Sequence, residues 1–292
     1  MEHPVGYMMN DQVLTPLDTL YEEESDTALP LPAALTALYG RLSIPPRLGR
    51  PHVIANFVTT LDGVVSLNVP GKSGGGEISG NSQHDRMVMG LLRAIADVVI
   101  VGANTARAVP QHIWTAEHIY PPLTDAYKQL RAALGKGESP LNVFVTARGN
   151  VNLDLPVFQS GKVAVLIVTS EQGARRIGAH ALPARVQVQA VTSQERISAR
   201  AILDAAQQIR QSEIMLVEGG AQLLGDFFAG QCLDELFLTL APQIAGRDAS
   251  VERPGLVMGK LFAPEHPLWG SMASVKRGGD HLFLRYRFEL EK

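Results

Sequence analysis

Apolar residues along the chain fall into two alternating patterns, short continuous runs and longer stretches with helical spacing. His52 to Val58 (HVIANFV), Asp97 to Gly102 (DVVIVG), Leu141 to Val145, Val163 to Val168 and Ile214 to Val217 have the length and β-branched content of buried strands. Val186 to Val191 reads as one more strand. Ser82 to Ala96 reads as a helix: Ser82 or Asn81 supplies the cap, Asp85 lies in the first turn, and Met87, Leu91, Ala94 and Ile95 recur on one face. Leu123 to Leu134, Glu171 to Ala181 and Ser198 to Ile209 repeat the helical spacing. Asp234 to Ala241 is a further strand, and Asp280 to Leu290 alternates apolar and polar residues as a half-exposed antiparallel strand does.

Repeated strand and helix predict an α/β fold, with a mostly parallel sheet covered by helices on both faces. Ligands of such sheets lie beyond the carboxyl ends of the strands. Here those ends carry Asn56 to Asp62, Gly102 to Thr105, Thr169 with Ser170, and Glu218 with Gly219 and Gly220. The last of these opens the stretch IMLVEGGAQLLGDFFAG, which reads as strand, double-glycine turn, helix. A turn of that kind leaves the first N–H groups of the helix bare to a phosphate, although packing alone also explains many such turns.

Residues 1 to 50 differ from the remainder. Glu22, Glu23, Glu24 and Asp26 form an acidic cluster, Pro30, Pro32, Pro45 and Pro46 interrupt regular structure, and a short helix is predicted only between Leu31 and Leu42. They read as an N-terminal extension packed on a domain spanning 51 to 292. Gly71 to Gly80 reads as a mobile loop beside a ligand, with no helix starting in Gly74-Gly75-Gly76. Arg93 lies close to the apolar stripe of its helix, where an arginine snorkels to the surface unless a buried anion waits for it.

Several kinds of chemistry are excluded. Gly71-Lys72-Ser73 ends like a P-loop, but Ser66 stands where its first glycine is required; Gly71 to Gly75 spells Gly-x-Ser-x-Gly without the strand-to-helix elbow that a serine hydrolase needs. The eight histidines show no zinc-binding spacing, and the single cysteine, Cys232, forbids an intrachain disulfide, so no metal site is predicted. A net charge of −3 offers no footprint for nucleic acid or an anionic membrane. With no apolar run long enough to span a bilayer and no signal-peptide pattern, a cytoplasmic protein is expected.

Five separated motifs add a more specific indication: NFVTTLDG at Asn56 to Gly63, ISG at Ile78 to Gly80, LLRAIADVVIVGANT at Leu91 to Thr105, VEGGAQLLGDF at Val217 to Phe227 and LDELFLTLAPQIAGR at Leu233 to Arg247. In their order and spacing the chain resembles the pyrimidine reductase family of riboflavin biosynthesis. That resemblance implies a dihydrofolate reductase-like three-layer αβα fold, NADPH as cofactor and a homodimer formed through the sheet edge. It also implies a site. The cofactor pyrophosphate would lie on Gly219, Gly220, Ala221, Gln222, Leu223, Leu224 and Gly225, with Thr105 also touching NADPH, and Asn56, Ser79, Gly80 and Gly102 on the cofactor side. Glu218 and Arg93 would contact substrate, and Thr60 and Asp62 would line the nicotinamide and substrate side. Asp62 is the expected catalytic residue, orienting the acceptor or protonating it with a pKa raised by burial. Thr169 and Ser170, with Arg175 or Arg176 nearby, suit the cofactor 2′-phosphate.

One departure from the family pattern matters for substrate choice. Members acting on the ribosylaminopyrimidine continue past the threonine with Asp-Asp-Pro-x-Leu-Thr-x-Arg, which grips the phosphoribosyl group, whereas this chain has Ala106-Arg107-Ala108-Val109-Pro110-Gln111-His112. Arg107 is the candidate replacement. The expected activity is therefore reduction of 5-amino-6-(5-phosphoribosylamino)uracil or a related heterocycle, with dihydrofolate or pterin reduction, or non-catalytic NADPH binding, as alternatives.

Overall fold

The computed structural model describes residues 14–24, 27–69 and 71–289; Asp26 of the acidic cluster and Leu290 of the last expected strand lie outside them. A parallel ladder forms the centre, because its inner strands are apolar on both faces and are buried from both sides. β2 (His52–Thr59), β3 (Val98–Gly102), β4 (Leu141–Thr146), β5 (Val165–Ser170), β6 (Val186–Thr192), β7 (Ile214–Val217) and β8 (Glu235–Leu240) run parallel, and β9 (Gly270–Gly278) and β10 (His281–Phe288) turn back as an antiparallel hairpin. With β1 (Asp18–Glu22) they form one sheet in the order β1-β9-β10-β8-β2-β7-β3-β4-β5-β6. The chain steps outward from β3 to β6 and then returns to place β7 between β2 and β3. The turn after β7 thus falls in the middle of the sheet's carboxyl edge, where open α/β sheets hold ligands.

Helices cover both faces, giving the expected mixed three-layer fold. On one face α1 (Ala33–Tyr39), α3 (Gln83–Ile95) and α6 (Thr124–Ala133) pack Leu35, Met87, Leu91, Leu92 and Leu130 against Ile54, Val99 and Leu216. On the other, α9 (Ala199–Ile209) and α10 (Ala221–Ala229) pack Ile202, Ala206, Leu224 and Phe227 against Val53, Val98, Ile100 and Met215. Successive strand residues thus serve opposite cores, as the two-residue period of a strand requires. Ser82 caps α3 by accepting the Asp85 N–H at 3.3 Å, and Ser198 caps α9 in the same way.

The pattern of apolar residues did not reveal several short elements. α4 (Ala103–Ala108) and α5 (Ala116–Ile119) follow β3, α7 (Pro156–Gln159) precedes β5, and α8 (Glu171–Ile177) stops four residues before the expected Ala181. α2 (Gly75–Ser79) corrects the expectation that no helix starts among the three glycines. There is no space for side chains here: a Cβ on Gly75 would lie 3.2 Å from Val58, and one on Gly76 2.9 Å from Asn81.

β9 and β1 escaped notice for a shared reason. Lys276 interrupts the apolar pattern of β9, yet its side chain is only 1% exposed, because Nζ reaches Glu22 Oε2 at 2.7 Å and Thr19 Oγ1 at 3.0 Å and lies over the Tyr39 ring. The arm from residue 14 to residue 50 is thereby fastened to the sheet through charges, with Arg277–Asp18 and Arg287–Glu23 beside that pair. A second buried cluster joins Arg285 to Glu235 at 2.5 Å, with His52 3.3 Å from the same carboxylate. β8 and β10 are both covered within the sheet, β8 between β10 and β2 and β10 between β8 and β9, and the strand at this edge is β1.

Breaking a buried pair leaves one charge without a partner, so Glu22→Ala is expected to destabilise the protein by about 3 kcal/mol in urea unfolding. Glu22→Ala combined with Lys276→Met should recover much of that loss; an unchanged midpoint for the single variant would show that the arm is not held this way. Burial opposes ionisation of Glu235, but the neighbouring imidazole of His52 and guanidinium of Arg285 outweigh it and hold the carboxyl down at about 2. A depressed carboxyl stabilises the fold above its ordinary value of 4.5 and ceases to do so as pH falls toward about 2. Melting temperature should therefore fall over that window more steeply in the native protein than in Glu235→Gln, and parallel pH profiles would refute the assignment.

Candidate functional site

The carboxyl ends of β2, β3 and β7 meet around two features, a glycine turn and a buried ion pair. The turn is tight because β3 and β7 are neighbours. Gly102 N–H faces Gly219 O at 3.4 Å, and a Cβ on Gly219 would lie 2.8 Å from the Thr105 side chain. Gly219 and Gly220 have φ of +138° and +87°, conformations that glycine adopts without strain. Gly220 then caps α10 with no side-chain acceptor, so the N–H groups of Ala221, Gln222 and Leu223 are presented at the helix start. Leu223 and Leu224 turn their side chains into the core. Gly225 has a packing reason instead: a Cβ there would lie 2.7 Å from Met258 O.

The ion pair lies one residue before that turn. Arg93, 2% exposed, donates from Nε to Glu218 Oε2 at 2.8 Å, and Asn56 Nδ2 approaches Glu218 Oε1 at 3.5 Å. Arg93 also donates from Nη1 to His112 Nε2 at 2.8 Å and to Thr115 O at 3.3 Å, and Nη2 lies 3.2 Å from Met89 Sδ. Burial pushes the Glu218 carboxyl up, against the opposing pull of Arg93 and Asn56. Asp85, also buried, is raised by desolvation, with the Thr239 and Ser79 hydroxyls and His281 acting in the other direction. Arg93 does not snorkel, since its buried anion is Glu218. Asn56 belongs with that carboxylate and not with the glycine turn.

The remaining expected residues divide by what they touch. Thr60 donates to Asp62 Oδ1 at 2.6 Å and accepts the Val64 N–H at 2.9 Å, while Asp62 also accepts from the backbone of Ala245 and Gly246 at 3.0 and 2.8 Å. The Thr60 hydroxyl, then the Ala245 N–H, hold the Asp62 carboxyl down at about 2. This reverses the expected burial-driven rise: Asp62 is a carboxylate that ties the 243–247 loop to the end of β2. Ser79 is buried beside Asp85 with its carbonyl hydrogen-bonded to His281, and Gly80 is an exposed left-handed cap at φ +60°.

Thr169 and Ser170 do not present the expected phosphate contact. Their hydroxyls donate to Thr146 O and Ala147 O, each at 2.6 Å, both residues are buried, and Ser170 caps α8. Arg107, the candidate replacement for the missing phosphoribosyl grip, is held by Asn104 and by Asn150 O. His112 and Thr115 escaped sequence reasoning, because no periodic pattern marks a loop residue that reaches a helix 19 positions back. The available signal was Arg93 itself, which needs acceptors wherever it is buried. Among the described residues no three His, Cys, Asp or Glu side chains are placed to hold a metal ion, and no helix is long and apolar enough to cross a membrane.

The chain is similar to known proteins in sequence and in fold. The family model for the RibD C-terminal domain matches residues 51–262. The 2,5-diamino-6-ribosylamino-4(3H)-pyrimidinone 5′-phosphate reductase of Methanothermobacter thermautotrophicus is 28% identical over 201 residues, covering 68% of this chain and 82% of that protein. Two solved structures share the fold: a pyrimidine reductase-like protein from Corynebacterium diphtheriae (TM-score 0.63, 21% identity, 82% of this chain and 93% of that one) and a riboflavin biosynthesis reductase from Saccharomyces cerevisiae (TM-score 0.57, 15% identity, 84% and 93%). Fold and sequence together define a reductase of the riboflavin-biosynthesis type. The chain belongs to the RibD C-terminal domain family.

Proposed function

We propose that this reductase uses NADPH to reduce a C=N bond of a ribosylaminopyrimidine 5′-phosphate, the kind of compound named for its Methanothermobacter relative. The carrying observation is the glycine turn at the centre of the sheet edge, which presents the uncapped start of α10 directly beside Glu218. Gly219, Gly220, Ala221, Gln222 and Leu223 would hold the pyrophosphate, with Gly102 and Thr105 shaping the opposite wall. The chemistry NADPH would supply when bound is a hydride for the carbon, and a proton would complete the reduction at nitrogen. Glu218 would meet the heterocycle as an acceptor. Asp62 would orient groups at the nicotinamide side through its loop; a carboxyl held near 2 is not the acid.

A dihydrofolate or pterin substrate is the second reading, favoured by the absent phosphoribosyl motif and by the engagement of Arg107 with Asn104 and Asn150. Both reductions consume NADPH, so following its oxidation with each compound in turn separates them. If neither is consumed while NADPH still binds, the chain is a cofactor-binding protein without this activity. As a cytoplasmic homodimer it would sediment at about twice the 31.5 kDa of one chain.

Gly220→Asp places a carboxylate against the pyrophosphate and should weaken NADPH binding by about tenfold or more in calorimetry. Gly220→Ala, which carries the backbone strain without the charge, should lose less. Unaltered affinity in the aspartate variant would remove the cofactor from this turn.

A further inference from the structure

Arg93 distributes its donors over three elements. Nε goes to Glu218 at the end of β7, Nη1 to the loop residues His112 and Thr115, and Nη2 to Met89 of its own helix. A guanidinium in a protein does not give up its proton and has no lone pair to offer. In the 2.8 Å contact the proton therefore comes from Arg93, and Nε2 of His112 is the acceptor. The imidazole must then be neutral and carry its own proton on Nδ1. Its surroundings enforce that state: desolvation, then the charge of Arg93, followed by His118 and Arg86, push the imidazole down to about 2. Trp114 and His118 meet its ring edge-on, with centroids 4.8 and 4.9 Å away, and hold its plane.

Without His112 the Nη1 group keeps only the longer contact to Thr115 O at 3.3 Å. The guanidinium is then free to tilt toward that carbonyl and carry the Glu218 carboxylate with it. The far oxygen of Glu218 offers little resistance, since Asn56 approaches it only at 3.5 Å. We propose that His112 is a positioning residue of the active site, a neutral acceptor that acts through Arg93 to fix the orientation in which Glu218 meets the heterocyclic substrate. His112 stands in the Ala106 to His112 stretch, where this chain departs from the phosphoribosyl-gripping pattern. The inference rests on the reading of Glu218 as the substrate-facing carboxylate.

The test compares the native protein with His112→Leu, which has no acceptor, and His112→Gln, whose amide oxygen reaches the place of Nε2. Nitrogen-15 NMR of the native protein should show an imidazole protonated at Nδ1 and unchanged between about pH 5 and about pH 8. His112→Leu should raise KM for the substrate that the native enzyme reduces by about tenfold, leaving NADPH affinity unchanged, while His112→Gln should return KM to within about threefold. If the leucine variant does not fold, His112→Asn replaces it, its amide stopping one carbon short of Arg93. A native KM in the acceptor-less variant, a loss of NADPH affinity alongside the rise in KM, a glutamine variant as impaired as leucine, or a titrating imidazole would each overturn the proposal. Native protein that reduces neither compound would instead defeat the functional reading, while the NMR result still decides whether the Arg93–His112 bond exists.

Discussion

A guanidinium and a carboxylate taken out of water together lose several kcal/mol of hydration each, and they recover it only where the geometry is good and the remaining donors are met. Arg93 and Glu218 satisfy that condition with a 2.8 Å contact and with acceptors for the rest of the guanidinium from His112, Thr115 and Met89. The pair joins α3, β7 and the loop between α4 and α5 at one point. The position of the glycine turn follows from it, since Glu218 is the residue immediately before Gly219. The glycine turn and the Glu218 carboxylate are thus held by a common support.

The two ends of the sheet are built on different principles. From β2 to β5 the parallel strands are held by apolar burial on both faces, which gives this region its two continuous cores. At the other end the antiparallel strands face buried charge: Lys276 with Glu22, and Arg285 with Glu235 and His52. The N-terminal arm is part of that second arrangement, supplying Glu22 and, from the segment before β2, the Ser43 carbonyl that accepts from Arg285. The candidate site lies where the parallel ladder reaches its carboxyl edge, and the charged end lies at the other side of the sheet.

The parallel ladder was legible because its elements are self-reporting. DVVIVG and IMLV are apolar on both faces, and the helix after Ser82 shows both its cap and its stripe. The charged end was only partly legible: β8 and β10 could be read as strands, but Lys276 interrupts the apolar pattern of β9, and Lys276 and Arg285 become core residues only through Glu22, Ser43 and Glu235, none of them near in sequence. The same holds for the site. Gly219 and Gly220 announce a turn by composition, whereas Thr169 and Ser170 looked like free hydroxyls until their bonds to Thr146 O and Ala147 O were seen. Asp62 looked like an acid because its motif names it, and the three donors that hold it ionised come from Thr60 and from a loop far along the chain.

By itself the sequence determined the α/β class, the strand and helix rhythm from residue 52 onward, the glycine turn before α10 and, through five spaced motifs, the family. These are properties of local periodicity, turn chemistry and motif order, each readable without knowing what lies opposite. Tertiary structure alone decided which polar groups are free. Arg93 was compatible with surface, substrate or core until Glu218 and His112 were brought to it, and the neighbours of β8, β10 and β2, were set only by the assembled sheet. The state of a side chain depends on its neighbours in space, and in this fold the deciding neighbours are distant in sequence.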